Sequence, residues 1–350
     1  MTQVALVFSD HPHTNMHAAT LRLLEEVSAV HVCAIEGADA GPVVGAIGSK
    51  ARAATLDESL RDVDALLLCA RNDLTPGILR RAVEAEKPVL FEKPGAVRAA
   101  DLKEIARLAR QKNVTLGAIL PWRFHPISQE LKRLHTEGAF GQLLAVEARM
   151  VTSQVRYRDP QHWLFDPARG GGILSWLGIH WLDLLHFLLG QRVTRVTALA
   201  SRRNPERVKV EDTAALTFEY EDGTLGTLHA GYLLPGSQSG YRGAAYDNYL
   251  ALRGYDGWAT WPMTTTPGAY TLFSTSQGNP TDGQEERRFE LPQSEAYSGA
   301  HGLRFVRAFL DAAKNHQPAP CPIEDLIHSL DVIEAALKAS ASGQTQSVTA

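Results

Sequence analysis

The feature of this sequence that most constrains its fold is the alternation of short apolar runs with helical stretches over its first third. Residues 4–8 (VALVF), 29–35 (AVHVCAI) and 65–69 (ALLLC) are continuous apolar runs of strand length, and residues 15–27 and 75–86 have helical spacing. Strands that are apolar throughout and alternate with helices are typical of a parallel sheet that is covered on both faces. The pattern therefore predicts a doubly wound α/β domain, in which ligands bind at the carboxyl ends of the strands.

The pattern changes at about residue 122. Residues 172–189 form one long apolar stretch of helical length, and several strand-like segments then follow without helices between them. Such a run of strands predicts an open, mostly antiparallel sheet. Because 350 residues are too many for one ordinary core, we predict two domains, residues 1–121 and residues 122–350, with a C-terminal helix that packs back on the first domain.

Composition excludes several classes of protein. The formal net charge of −4 provides no basic face for nucleic acid. The longest apolar segment, residues 173–189, contains two histidines and an aspartate, which are costly in a bilayer, and the first residues lack a signal-peptide pattern. These observations predict a soluble, cytoplasmic protein that binds neither nucleic acid nor a membrane.

The three cysteines form no close-spaced pair. Cys33 and Cys69 lie inside apolar runs, and Cys321 stands alone. A disulfide framework or a zinc site needs several such residues at close spacing. We therefore predict buried thiols and no metal site.

Three motifs stand out when they are taken together. The sequence Phe-Glu-Lys-Pro (91–94) ends a predicted strand, residues 170–183 read GGGILSWLGIHWLD, and residues 210–214 read VEDTA. Their order and separation resemble the Gfo/Idh/MocA oxidoreductase family, and Arg-Phe-x-Pro (123–126) and Ile-Glu-Asp (323–325) extend the resemblance over nearly the whole chain. The resemblance implies a Rossmann domain followed by an open, mostly antiparallel sheet domain, which carries the substrate site and often an oligomer interface.

The resemblance also implies hydride transfer between NAD(P) and a hydroxyl or carbonyl group of a sugar, a polyol or a related compound. Lys93, placed after a strand, can hydrogen-bond and polarise the reacting oxygen. His180 can act as a general acid or base, since its ordinary pKa is about 6.5. Asp183 lies three residues later on the same helix face and can orient that imidazole or contact substrate. These three residues are the predicted catalytic group.

Further candidates follow from their positions near the strand ends and the motifs. Glu36 stands where the family often has an acidic residue for the ribose hydroxyls, and because no Arg or Lys follows closely, NAD is favoured over NADP. The predicted cofactor-binding residues are Ser9, Asp10, His11, His13, Glu36, Ala70, Asn72, Glu92, Lys93 and Arg123. Aromatic and polar side chains suit carbohydrate ligands. The predicted substrate-binding residues are Lys93, Trp122, Arg156, Tyr157, Trp163, Trp176 and His180.

Two positions depart from the family pattern. The turn after the first strand reads FSDHPH (8–13) and has none of the glycines of G-x-G-x-x-G, which let the backbone approach a pyrophosphate. His11, His13 and Asn15 can donate hydrogen bonds instead, provided that Asp10 faces away. Trp176 stands where many catalytic members have an aspartate, so the tryptophan can stack on a sugar but cannot relay a proton.

These departures leave two alternatives open beside the dehydrogenase. One is a non-redox ligand-binding regulator or partner subunit with a degenerate cofactor turn. The other is an enzyme that retains NAD and uses transient oxidation to drive elimination or glycosidic cleavage. In each case an open sheet with an uncovered face predicts a homo-oligomer, either a dimer or a tetramer.

Overall fold

The computed structural model describes residues 2–236 and 246–349. Contacts divide the chain into two compact units. The first unit combines Met1–Phe124 with Pro292–Ile327, and the second combines His125–Leu291 with His328–Ala350.

The first unit contains a six-stranded sheet in which every neighbouring pair of strands is parallel. Its strands are β1 (Thr2–Phe8), β2 (Val27–Ala34), β3 (Ala51–Ala53), β4 (Ala65–Cys69), β5 (Val89–Glu92) and β6 (Leu116–Ile119). The helices between them are α1 (Thr14–Leu23), α2 (Ala40–Ile47), α3 (Leu56–Asp62), α4 (Thr75–Glu84) and α5 (Ala99–Lys112). The strand order is β3-β2-β1-β4-β5-β6, which is the doubly wound Rossmann order. The predicted fold of the N-terminal domain is therefore confirmed.

The sequence explains these elements locally. All five residues of β4 are buried, as expected for a strand that is covered on both faces. Thr55 begins α3 with a capping box, since its hydroxyl accepts from the Glu58 N–H while the Glu58 carboxylate accepts from the Thr55 N–H. The apolar pattern predicted neither helix α2 nor strand β3, and β3 forms the edge of the sheet beside β2.

The second unit contains a nine-stranded sheet of order β14-β13-β12-β11-β7-β10-β9-β8-β15. Its strands are β7 (Leu143–Ser153), β8 (Val193–Ser201), β9 (Thr213–Tyr220), β10 (Leu225–Leu234), β11 (Tyr246–Gly254), β12 (Gly257–Trp261), β13 (Ala269–Ser274), β14 (Glu285–Arg288) and β15 (Gln346–Ser347). Only the β7–β10 pairing among the described strands is parallel, so the prediction of a mostly antiparallel sheet is confirmed. A tight turn at Asp222-Gly223 joins β9 to β10, and Gly223 adopts a φ of 87° there.

The remaining helices are α6 (Pro126–Thr136), α7 (Ile179–Leu189), α8 (Gly299–Lys314) and α9 (Ile323–Ser342). The long apolar stretch predicted as one helix is a π-helical turn, Leu174–Gly178, followed directly by α7. The segment Pro167–Leu189 is long and apolar enough to cross a membrane, but 83% of its most apolar window is buried inside the protein. It serves as a core helix of the second unit.

Candidate active site

Lys93 lies at the carboxyl end of β5 in the first unit. Its peptide bond to Pro94 is cis, and Gly95 follows with a φ of 73°. A Cβ on Gly95 would come within 2.4 Å of the Phe91 ring, so this turn requires glycine. Lys93 is fully buried, and burial lowers the pKa of its ammonium group to about 8, against the opposing effect of the Glu92 carboxylate. The turn therefore holds a lysine that can exchange its proton near neutral pH.

Side chains fill the turn from β1 into α1. In a glycine-rich turn, this position would expose only backbone. The His11 ring turns back on this loop, and its Nδ1 accepts from the His13 N–H at 3.2 Å. His13 is the N-cap residue of α1, and its side chain bonds Glu92 instead of the helix backbone. The Asp10 carboxylate pairs with the Arg71 guanidinium at 3.2 Å, which offsets its charge. Arg71 was not among the predicted site residues.

Glu92 is the centre of a buried polar cluster beside that turn. One of its oxygens, Oε1, accepts from His13 Nδ1 at 2.8 Å and from His17 Nε2 at 2.7 Å. Burial by itself raises the pKa of Glu92, but the two imidazoles outweigh it and hold that pKa well below its usual range. The Tyr297 ring packs against both imidazoles, with centroid distances of 4.6 and 4.7 Å.

Sequence reasoning missed His17. The signal that identifies it is the His13-x₃-His17 spacing, which places two imidazoles one turn apart on the same side of a helix. Their common partner, Glu92, lies 79 and 75 residues further along the chain.

The other predicted cofactor residues occupy varied environments within the first unit. Glu36 follows β2, is exposed, and adopts a φ of 51°. Ser9 is buried, and its hydroxyl accepts from the backbone N–H that follows β4. That N–H belongs to Arg71, and the residues on either side of it in sequence, Ala70 and Asn72, are buried. Arg123 is buried, and its guanidinium donates to the Asp325 carboxylate at 2.9 Å, within the Ile-Glu-Asp motif.

Trp122 completes the candidates of the first unit. Its indole is mostly buried and packs against His301 at a centroid distance of 5.6 Å. Burial lowers the pKa of His301 to about 4, so this imidazole is neutral at physiological pH.

In the second unit, His180 and Asp183 lie on the first turns of α7, and both are buried. The His180 ring meets Trp181 edge-on at 6.3 Å. Trp176, in the π-helical turn, packs edge-to-face on Trp163 at 5.8 Å. The position that carries an aspartate in many members thus holds an indole that is part of an aromatic pair.

The VEDTA motif stabilises the start of the π-helical turn that precedes α7. A Glu211 oxygen accepts from the Leu174 N–H at 3.2 Å, and a Cβ on Gly172 would come within 2.4 Å of the same carboxylate. Burial raises the pKa of Glu211 to about 7, with a smaller contribution from Asp212. The Asp212 carboxylate accepts from the Arg203 N–H at 2.8 Å and so fixes the loop after β8.

Two predicted substrate residues are at the surface. Arg156 and Tyr157 are both exposed, and the Arg156 guanidinium lies 4.9 Å from the centre of the Tyr157 ring. At an exposed site such a cation–π contact contributes only about 0.5–1 kcal/mol.

Comparison with known proteins places these features in a family. The family profile described as "Oxidoreductase family, NAD-binding Rossmann fold" matches residues 7–119, and the profile described as "GFO/IDH/MocA C-terminal domain" matches residues 128–260. The chain belongs to the Gfo/Idh/MocA family of oxidoreductases. The predicted family and its NAD-binding Rossmann domain are confirmed, and with them the prediction of a nicotinamide-dependent oxidoreductase.

Two named relatives are similar over most of the chain. The 1,5-anhydro-D-fructose reductase of Ensifer adhaerens is 25% identical over 288 residues, which is 82% of this chain and 80% of that protein. The inositol 2-dehydrogenase of Rhizobium meliloti is 25% identical over 244 residues, 66% of this chain and 68% of that protein. An oxidoreductase of Agrobacterium radiobacter, solved with NAD⁺, L-tartaric acid and magnesium, superposes with a TM-score of 0.80 at 18% identity, covering 99% and 98% of the two chains. At that identity the structural similarity shows the shared fold.

The first unit fits a dinucleotide at one end and differs from the family pattern at the other. Glu36 provides an exposed carboxylate at the end of β2, where it suits the ribose hydroxyls of NAD. At the β1–α1 turn, imidazole groups of His11 and His13 stand in place of glycine backbone, so a pyrophosphate would meet side-chain donors there. The carboxylate predicted for the adenosine ribose thus follows the pattern that the resemblance implies, whereas the β1–α1 turn departs from the glycine-rich pattern.

Proposed function

We propose that this protein is an NAD-dependent dehydrogenase or reductase that acts on a sugar, a polyol or a related hydroxyl compound. The observation that carries the proposal is Lys93, a fully buried lysine at the carboxyl end of a Rossmann strand, with a pKa of about 8. Relatives that are named as an anhydrofructose reductase and an inositol dehydrogenase support the substrate class.

The cofactor, when bound, supplies or accepts the hydride at its nicotinamide ring. Lys93 donates a hydrogen bond to the reacting oxygen, which stabilises negative charge on that atom as the C–H bond is made or broken. Glu36 would hold the adenosine ribose, and His11 would contact the pyrophosphate together with the ring nitrogen of His13 that does not bond Glu92. Within the second unit, His180 can exchange a proton, and Asp183 can orient it or assist it.

A second candidate function is that of a ligand-binding regulator or partner subunit without turnover. The histidine-filled β1–α1 turn favours it, because these rings occupy a position that family members keep open with glycine. The two functions differ in whether dinucleotide is bound at all.

Calorimetric titration with NAD⁺, NADH, NADP⁺ and NADPH separates them. The dehydrogenase predicts binding of the NAD pair at micromolar concentration or below, followed by NADH formation or consumption in a screen of sugars and polyols. Lys93→Met should then lower kcat by about 10²- to 10⁴-fold with dinucleotide affinity retained. A folded protein that binds sugar but none of the four nucleotides would support the regulator.

We also propose a cytoplasmic homo-oligomer that associates through the open face of the nine-stranded sheet. Leu199 on β8 is 78% exposed and Leu225 on β10 is half exposed, and both alternate with buried residues of their strands. A shallow depression on the same strands is lined by small, apolar and polar residues that include Leu199, Thr217 and His229. Exposed apolar side chains in this arrangement favour a second copy of the chain. Leu199→Asp should shift the mass measured by light scattering toward that of the monomer.

A further inference from the structure

We propose that His13, His17 and Glu92 form a binding site for a divalent transition-metal ion, with Zn²⁺ as the best match to the ligand set. Two imidazole nitrogens and one carboxylate oxygen are the protein ligands of many three-ligand zinc sites. The site lies wholly within the first unit, and the proposal does not depend on the function proposed above.

The ligand atoms are already gathered. His13 Nδ1 and His17 Nε2 lie 2.8 and 2.7 Å from Glu92 Oε1, and the ligand atoms of the three residues lie within 4.8 Å of one another. Ligands bound to one tetrahedral zinc at about 2.0–2.1 Å stand roughly 3.3 Å apart. The two imidazoles therefore need to open by only about half an ångström to admit an ion.

Backbone geometry holds the ligands on two different elements. His13 and His17 are one helical turn apart at the amino end of α1, so that both rings project from the same side. Glu92 is the last residue of β5. Sites built on helices and strands hold ligand geometry better than sites on loops.

The second oxygen of Glu92 is an independent indication of a missing partner. Glu92 is 1% exposed, and its Oε2 has no hydrogen-bond partner among the described residues. A buried carboxylate oxygen without a partner is costly. A bound cation removes that cost, since it can be coordinated by both oxygens of the carboxylate.

A fourth ligand is within reach of the same carboxylate. His11 Nδ1 lies 3.2 Å from Cys69 Sγ, and the ligand atoms of this pair and of Glu92 also lie within 4.8 Å of one another. Glu92 is thus shared by two candidate ligand groups. Cys69 or His11 could complete a closed four-ligand site, whereas water would complete an open one.

The test uses tag-free, full-length protein that has been stripped with a chelator and then titrated with Zn²⁺ by calorimetry, with metal content measured by elemental analysis. We expect one Zn²⁺ per chain. His13→Gln and His17→Gln should each weaken binding by more than about 100-fold, because the loss even of residues that only support a ligand costs 10- to 100-fold. The matched control is His31→Gln, which removes a buried histidine of β2 that lies outside the cluster and should leave the affinity unchanged.

Co²⁺ provides a second readout on the wild-type protein in case a variant does not fold. Intense visible bands of a four-coordinate ion are expected, and an added thiolate charge-transfer band that disappears in Cys69→Ser would identify the fourth ligand. A folded wild-type protein that takes up no Zn²⁺, a six-coordinate Co²⁺ spectrum, or unchanged affinity in both histidine variants would overturn the proposal. In each of these cases the cluster is a hydrogen-bonded pair of imidazoles on a buried carboxylate. Because the titration contains no nucleotide, its outcome is independent of whether NAD binds.

Discussion

Replacement of Glu211 by glutamine should stabilise the second unit at alkaline pH but not at acidic pH. The pKa of this carboxyl group is raised from 4.5 to about 7, first by burial and then by the neighbouring Asp212 carboxylate. The folded protein therefore binds the Glu211 proton more tightly than the unfolded chain does. Its contribution to the free energy of unfolding is fully present below about pH 4.5 and is lost as the pH rises through about 7.

The magnitude follows from the size of the shift. About 2.5 pKa units at 1.36 kcal/mol each correspond to about 3 kcal/mol, which is an upper bound because the side chain is only partly buried and water screens its charge. Glutamine keeps an oxygen that can accept from the Leu174 N–H, so the entry to the long apolar helix should survive the substitution.

Urea unfolding at pH 5 and pH 8, followed by tryptophan fluorescence, measures this difference. Five of the six tryptophans lie in the second unit, so the signal reports mainly on the part of the protein that contains Glu211. Glu211→Gln should unfold at a higher urea concentration than the wild type at pH 8, and the gap should close toward pH 5. Glu290→Gln, which removes an exposed carboxyl group of the same unit, is the control. An equal change at both pH values, or a larger gain at pH 5, would refute the reasoning.

Three further substitutions test the first unit. Gly95→Ala should lower the free energy of unfolding by about 2–5 kcal/mol, because Gly95 has a positive φ and the added Cβ would meet the Phe91 ring. The same change should reduce turnover. Urea unfolding measures the first effect, and kcat measures the second. Thr55→Ala should lower the free energy of unfolding by about 1 kcal/mol, because the capping box with Glu58 is lost, and should leave activity unchanged. Equal urea midpoints for the variant and the wild type would contradict this. Glu36→Ala should weaken NAD⁺ binding by about tenfold and NADP⁺ binding less, as measured by calorimetry; parallel losses would argue against contact with the ribose.

The motifs and the apolar pattern predicted most of the fold because both report on local requirements. An apolar run such as ALLLC (65–69) can be satisfied only in a strand covered on both faces, and the structure buries every residue of it. Helix α6 was not predicted, although Pro126 at its first turn is a start signal, because its N-cap is His125, which is not among the residues that usually cap a helix. The break of the apolar helix into a π-helical turn and α7 also gives no sign in the apolar pattern.

The sequence by itself determined the strand–helix alternation, the change to an antiparallel sheet and the order of motifs that carries the family. The tertiary structure alone decided which side chains meet. The pairing of Asp10 with Arg71, and the meeting of His13 and His17 with Glu92, join residues 61 to 79 positions apart. The reason is physical: periodicity along a chain specifies which face of an element is buried, whereas proximity at the sheet edge depends on the strand order that places β4 between β1 and β5.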